Sequence, residues 1–276
     1  MKPYVGNTPI VEASSKEFLE NLGIGKLRIK DESVNPCGTW KDRRSQQILK
    51  EVQGKKVDKL VLITQGNAGY SLGKLAEGSG LKVVSIMDLE TSKKTLREVQ
   101  KVCHRVIQVD LSKVLSPEEI QELARESDSE RIWDVSNGYQ EAYEQLFKEI
   151  DPLDPDFIIC PVGSGESFVG LHQAIQKKGS RTKLVGIQPE SAASLAEKLT
   201  CIWSPYQTTI EEILRTHPYT LIKVTEEEIE ESYRKAKKLM RCEPSSGIVL
   251  SALSKISFPK KANVVLINSG KGNSGF

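Results

Sequence analysis

The chain has almost no charge imbalance: 39 Lys and Arg stand against 37 Asp and Glu, a net charge of +2 over 276 residues. Nothing in that balance attracts a polyanion, so no nucleic-acid partner is expected. Long apolar runs are also missing. No segment approaches the ~18 apolar residues of a membrane span, and the opening MKPYVGNTPIVEASSKEF has no uninterrupted apolar core of the signal-peptide kind. A soluble, cytoplasmic protein without a membrane partner is expected. Histidine is scarce, and His104, His172 and His217 lack metal-ligand spacing, so no metal is expected. The five cysteines (Cys37, Cys103, Cys160, Cys201, Cys242) are odd in number and widely spread, with no C-x-x-C. That excludes a disulfide framework and a zinc cluster as readings. Aromatics make up 6% of residues, and Trp133, Tyr139 and Trp203 read as packing residues. No internal repeat or low-complexity tract is found.

What the chain does have is alternation. Short β-rich runs recur: KLVLIT (59–64), LKVVSI (81–86), RVIQV (105–109), DFIICP (156–161), KLVGI (183–187) and NVVLI (263–267). Between them lie amphipathic stretches of helical length, such as SPEEIQELARE, GYQEAYEQLFKEI and TEEEIEESYRKAKKLM. This pattern predicts parallel strands with crossover helices, the α/β class. The length allows one large or two modest domains of roughly 100–200 residues. Asp151-Pro152-Leu153-Asp154-Pro155-Asp156 breaks a helix and reads as a connection between halves, with a boundary near 140–155.

In parallel sheets ligands bind at the carboxyl ends of strands, and two such ends run into glycine-rich loops that open helices. One is Gln65-Gly66-Asn67-Ala68-Gly69; the other is Gly163-Ser164-Gly165-Glu166-Ser167. Backbone N–H groups left uncovered at a helix N-terminus suit a phosphate. Two named motifs fail here. Gly69 to Gly73-Lys74-Leu75 has three intervening residues and then a leucine, where a Walker loop needs four and then Ser or Thr. A dinucleotide fingerprint would need a third glycine at 168, and the chain has Phe168.

Other stretches carry a resemblance. Gly6-Asn7-Thr8-Pro9 looks like an opening G-x-T-P. Lys30-Asp31-Glu32-Ser33-Val34-Asn35-Pro36-Cys37-Gly38-Thr39-Trp40-Lys41-Asp42-Arg43 looks like K-x-E-x-x-N-P-T-G-S-F-K-D-R. Gly66-Asn67-Ala68-Gly69 is similar to an S-G-N loop and Gly163-Ser164-Gly165 to a phosphate loop. Val185-Gly186-Ile187-Gln188-Pro189-Glu190, Glu243-Pro244-Ser245-Ser246-Gly247 and Asn268-Ser269-Gly270-Lys271-Gly272 resemble late V-G-V-x-P, E-P-S-S and T-G-H-G segments. In this order, over nearly the whole chain, they resemble the fold-type II pyridoxal-phosphate enzymes. That group comprises threonine synthase, cysteine synthase, serine/threonine dehydratase and the tryptophan synthase β chain. The K-D-E-S and E-P-S-S stretches look most like threonine synthase. Gln65, where a serine usually precedes Gly-Asn, and Glu166, within a usual run of small residues, depart from the pattern.

The resemblance implies pyridoxal 5'-phosphate as cofactor and assigns roles. Lys41 would bind the cofactor's aldehyde carbon, and its freed amine would then act as base at the substrate Cα. A partly desolvated lysine gives up some preference for the charged form and so serves both purposes. Asn67 would hydrogen-bond the ring hydroxyl oxygen. Gly163, Ser164, Gly165, Glu166 and Ser167 would wrap the phosphate, with the Glu166 carboxylate expected to turn away from it. Ser269 would hydrogen-bond the pyridine nitrogen; a neutral hydroxyl there leaves a weaker electron sink and favours elimination or replacement over transamination. Thr64, Gln65, Gly66 and Lys271 are candidate substrate contacts.

The implied architecture is two mostly parallel sheets with flanking helices. Residues 1–41 and 140–276 would form a larger phosphate-binding domain, and residues 42–139 a smaller mobile one. A small amino-acid substrate and a homodimer are expected on the same ground. The leading expectation is threonine synthase, converting O-phosphohomoserine to threonine and phosphate. The alternatives are cysteine synthase (O-acetylserine or O-phosphoserine sulfhydrylase), serine/threonine dehydratase, a catalytically inactive cofactor-binding relative, and a nucleotide-binding α/β protein.

Overall fold

The computed structural model describes residues 4–13, 22–201 and 204–272; Trp203, read above as a packing residue, lies outside them. In chain order the strands are β1 (Ile10–Glu12), β2 (Ile24–Asp31), β3 (Lys59–Ile63), β4 (Lys82–Asp88) and β5 (Arg105–Val109). They continue with β6 (Ile132–Asp134), β7 (Phe157–Pro161), β8 (Lys183–Pro189), β9 (Thr220–Val224) and β10 (Ala262–Asn268). The helices are α1 (Lys41–Val52), α2 (Asn67–Leu75), α3 (Lys93–Gln100), α4 (Pro117–Ala124) and α5 (Glu144–Ile150). After them come α6 (Glu166–Lys178), α7 (Gln207–Thr216), α8 (Glu226–Ala236) and two single turns, α9 (Pro244–Gly247) and α10 (Ala252–Lys255). Each apolar run singled out in the sequence falls on one of these strands. Local chemistry starts several helices: Ser116 with Glu119 on α4, and Thr225 with Glu228 on α8, form reciprocal capping boxes.

The chain forms two compact units. One comprises the described residues up to Trp40 together with Gln140–Gly272. Its six strands run in the order β1-β2-β10-β7-β8-β9; β1 pairs antiparallel with β2, and every other pair is parallel. Alternation along β10 sends Val264 and Leu266 into one core and Val265 and Ile267 into another; β7 divides Phe157 and Ile159 from Ile158 and Cys160 in the same way. A sheet buried on both faces explains why these strands read as continuous apolar runs. The Asp151–Leu153 stretch forms a 3-10 turn inside this unit, joining α5 to β7. It connects consecutive elements rather than halves of the chain.

The other unit is Lys41–Tyr139. Its four strands lie parallel in the order β5-β4-β3-β6. Leu60, Leu62 and Val83 face one core with the buried Tyr139 and the partly buried Trp133, while Val61, Val84 and Ile86 face the other. Lys59 is fully buried at the start of β3, where its ammonium donates to the carbonyl of Ala124 and to the carboxylates of Glu126 and Glu130, each at 2.9 Å.

Strand order singles out specific loops. In the six-stranded sheet the chain steps outward from β7 to β9, then returns to β10 on the opposite side of β7. In the four-stranded sheet it steps from β3 out to β5 and returns to β6 on β3's other flank. Such reversals open a crevice at the carboxyl ends of the strands concerned. The loops there follow β7, β10 and β3: residues 162–167, 269–271 and 64–67.

Candidate active site

The loop after β7 is built to present bare backbone. Gly165 caps α6 at φ +90°, and the first helical hydrogen bond runs from the Val169 N–H to the Gly165 carbonyl at 3.0 Å. The N–H groups of 166–168 therefore have no acceptor within the helix. A Cβ at Gly165 would overlap Ile210 of α7, besides forcing a side chain into the left-handed region. The loop is braced from outside: the Ser204 hydroxyl donates to the Ser164 carbonyl and accepts from the Tyr206 N–H. Gly163 lies against the backbone of Lys198 and Leu199. Glu166 and Ser167 are buried. Phe168, the residue that denies the dinucleotide fingerprint, is fully buried, and the neighbouring strand makes room for it with Gly186.

Beside this loop, the adjacent parallel strand β10 delivers Ser269. Its hydroxyl is buried and lies 2.7 Å from that of Ser246, the last serine of the Glu243-Pro244-Ser245-Ser246 stretch. Sequence reading proposed Ser269 but not its partner; the signal lay in that stretch, which places a helical turn against the end of β10. The same strand end holds the segment preceding Lys41. The Trp40 N–H donates to the Ser269 carbonyl at 2.9 Å, the Lys271 N–H to the Gly38 carbonyl at 3.0 Å, and Thr39 bridges Gly270. This close approach needs Gly270, since a Cβ there would sit 2.8 Å from the Gly38 carbonyl oxygen. The Lys271 side chain lies over Gly38 and is half-buried, not free in solvent.

Upstream, the turn at 32–38 is pinned by a buried carboxylate. Glu32 accepts from the Thr8 hydroxyl at 2.5 Å and from the Asn35 amide at 2.9 Å, while the Asn35 side-chain oxygen accepts from the Gly6 N–H at 3.0 Å. The G-N-T-P and K-D-E-S-V-N-P stretches, far apart in role when read as sequence, are thus one hydrogen-bonded unit.

In the Lys41–Tyr139 unit, Lys41 is the first residue of α1 and Asn67 the first of α2. The buried Thr64 hydroxyl accepts from the N–H groups of Gly66 (3.0 Å) and Gly69 (3.2 Å). It shapes the turn that carries Asn67, while Gln65 remains half-exposed. Behind Lys41, Asp42 accepts from the Ser71 hydroxyl at 2.6 Å, joining α1 to α2.

None of the other candidate chemistries gathers support among the described residues. No group of three or more His, Cys, Asp or Glu could hold a metal ion. None of the five cysteines is in a disulfide. Burial pushes the Cys103 thiol up to about 11 and that of Cys242, with Glu243 also beside it, up to about 12; the Cys160 thiol is raised as well. Thiols so raised do not serve as thiolate nucleophiles. No helix is long and apolar enough to cross a membrane.

Two mostly parallel sheets flanked by helices, with glycine loops at their reversal points, define the fold-type II architecture. The chain belongs to the pyridoxal-phosphate dependent enzymes, whose family model matches residues 1–270, and its cofactor is pyridoxal 5'-phosphate. A cysteine synthase from a Flavobacterium species is 24% identical over 204 residues, covering 70% of this chain and 65% of that enzyme. A threonine synthase from Methanocaldococcus jannaschii is 25% identical over 207 residues, covering 70% and 50%. The chain thus matches less than two thirds of the length of either relative. Among solved structures, an O-acetylserine dependent cystathionine β-synthase from Helicobacter pylori superposes with a TM-score of 0.78 at 20% identity, covering 98% of this chain and 94% of that one. The donor set fits the cofactor: bare N–H groups and serine hydroxyls at a helix start suit a phosphate, and the buried hydroxyl of Ser269 suits a neutral ring nitrogen. Glu166 is the discordant member.

Proposed function

We propose that this chain catalyses elimination and replacement at Cβ of a small amino acid carrying a leaving group there, in the manner of cysteine synthase acting on O-acetylserine or O-phosphoserine. The observation that carries this reading is the buried Ser269–Ser246 hydroxyl pair at the end of β10. When bound, the cofactor withdraws electrons from the substrate Cα. A hydroxyl at its ring nitrogen, unlike a carboxylate, does not hold that nitrogen protonated, so withdrawal is moderate and a departing group at Cβ is favoured over a long-lived carbanion. Lys41 is the residue that would hold the cofactor and then, as a free amine, take the proton from Cα. Asn67 would orient the ring through its hydroxyl oxygen. Residues 163–167 would seat the phosphate.

The cysteine synthases among the relatives support this substrate class ahead of threonine synthase. A second reading, O-phosphohomoserine as substrate, rests on the Glu243–Ser246 stretch and on the threonine synthase relatives. In either case the Lys41–Tyr139 unit is taken as the one that moves on substrate binding, and a homodimer as the working assembly. Cofactor-loaded protein should form cysteine and acetate from O-acetylserine plus sulfide. Threonine and phosphate from O-phosphohomoserine would favour the second reading, and 2-oxobutanoate from threonine alone would favour a dehydratase. A cofactor-loaded protein that turns over none of these is an inactive relative, and the proposal is then wrong.

A further inference from the structure

Ser246 belongs to the single turn α9, and that turn is fastened to the end of β10 on either side of Ser269. The Asn268 side-chain amide donates to the Arg241 carbonyl at 3.0 Å, and the Glu243 N–H donates to the Gly270 carbonyl at 3.0 Å. Within the turn, the N–H groups of Ser246 and Gly247 both donate to the Glu243 carbonyl, at 3.0 and 2.9 Å. From behind, Gly247 packs against α8, where a Cβ would lie 3.1 Å from the Tyr233 Cα. A closely tied stretch of backbone thus delivers the Ser246 hydroxyl to Ser269.

The protons decide what this pair can do. Each hydroxyl has one proton to donate and can also accept. The two residues are 0% and 5% exposed, and among the described residues neither hydroxyl has a partner besides the other. If Ser269 donated to Ser246, the Ser246 proton would be buried with no acceptor, which costs about tenfold in the equilibrium between the two arrangements. If Ser246 donates, the proton left over belongs to Ser269, at the carboxyl end of β10, where a ligand can accept it. The pair therefore ends in a donor, and the hydrogen bond that Ser269 accepts strengthens the one it gives.

We infer that Ser246 is a positioning residue: by donating to Ser269 it aims the Ser269 proton at the ring nitrogen of the cofactor, and the pair so arranged favours an unprotonated nitrogen. This rests on Ser269 facing the ring nitrogen, as proposed above. Ser246 acts through Ser269, without a contact of its own to the cofactor.

The test is equilibrium binding to the full-length apo-protein with two probes, pyridoxal 5'-phosphate and its deaza analogue, in which C–H replaces the ring nitrogen. Ser246→Ala should weaken pyridoxal 5'-phosphate about fivefold, the worth of one aligned hydrogen bond, and leave the analogue unchanged within twofold. In a Ser269→Ala background the same change should have no further effect. A packing role would weaken both probes alike and overturns the inference, as does no change for either. Ser246→Cys, close in size but a poorer donor, should behave as the alanine variant and serves if that one does not fold. Failure of both to fold also overturns the inference, because the hydroxyl is then structural. Magnetic resonance of cofactor labelled at its ring nitrogen, bound to the unaltered chain at neutral pH, should show an unprotonated, hydrogen-bonded nitrogen; a protonated one overturns the inference. Ser269→Ala alone separates this from the underlying assignment. If that change weakens pyridoxal 5'-phosphate but not the analogue, Ser269 faces the ring nitrogen, and a negative result at 246 defeats the inference alone. If it makes no such distinction, the ring nitrogen lies elsewhere and the assignment falls with the inference.

Discussion

The N–H of Trp40 donates to the carbonyl of Ser269, tying the residue before Lys41 to the residue that follows the last strand, 229 positions later in the chain. Two short segments, 38–40 and 269–271, approach this closely only because Gly270 has no Cβ. Gly270→Ala should force them apart and cost about 1–3 kcal/mol, the range for overpacking a filled site. A lowered urea midpoint with an unchanged slope is the expected readout; wild-type stability would show that the approach tolerates a methyl group.

Lys41 follows Trp40 directly and opens α1. Borohydride reduction of the cofactor-loaded protein, followed by peptide mapping, should place the pyridoxyl group on Lys41. Lys41→Ala should lose the visible absorbance of the bound cofactor and reduce turnover by about 10²–10⁴-fold, the usual share of a positioned acid–base group. Pyridoxyl label on another lysine would refute the role given to this one.

Ser246 and Ser269 satisfy each other's hydroxyls out of contact with water. Ser246→Ala strands a buried hydroxyl and should destabilise the protein by about 1–3 kcal/mol. In chemical denaturation the double variant with Ser269→Ala should lose less than the sum of the two single variants. Strict additivity would mean the two hydroxyls do not depend on each other.

His172 on α6 packs edge-on against His217, with ring centroids 4.6 Å apart, and also against Tyr219. Its Nδ1 is buried without a hydrogen-bond partner. Burial, and then the proximity of His217, lowers its affinity for a proton below the usual 6.5. Between the folded value and 6.5 the unfolded chain therefore binds more protons than the native one. The stability contribution is complete above about pH 6.5 and declines as the pH falls below it. Thermal midpoints measured from pH 7.5 to 5 should drop less steeply for His172→Gln than for the parent, and identical slopes would contradict this account.

Lys59 holds Glu126 and Glu130 from a fully buried position. Its hydrogen bond, followed by that of His104, lowers the Glu126 carboxyl from 4.5 to about 2. That stabilisation is present above pH 4.5 and is lost as the pH falls toward 2. Lys59→Met should cost more than the 0–1 kcal/mol of an exposed ion pair and flatten the loss of stability in acid. The comparison is a set of denaturant midpoints from pH 7 down to pH 3, and an equally steep acid loss in both proteins would contradict the account.

Much of this was readable before any coordinates. The β-rich runs became strands because a sheet covered on both faces demands unbroken apolar residues, as along β7 and β10. β1, β2, β6 and β9 were not singled out; each mixes exposed or partly exposed positions with few or no buried ones in a row, and their patterns are correspondingly weak. Asp151–Leu153 carries every local mark of a break, and it does break a helix. Whether a break also ends a domain depends on which strands pair afterwards, and local composition holds no record of that.

Glycine placement, helix caps and strand periodicity are matters of a residue and its near neighbours, so the order of residues alone determined them, along with the α/β class. The partnership of Ser246 with Ser269, the clamp of Glu32 on Thr8 and Asn35, and the facing of His172 and His217 arise from long-range strand order and helix packing. Only the folded chain decided those, because hydrogen bonds and ring contacts depend on distance in space, which a linear pattern does not encode.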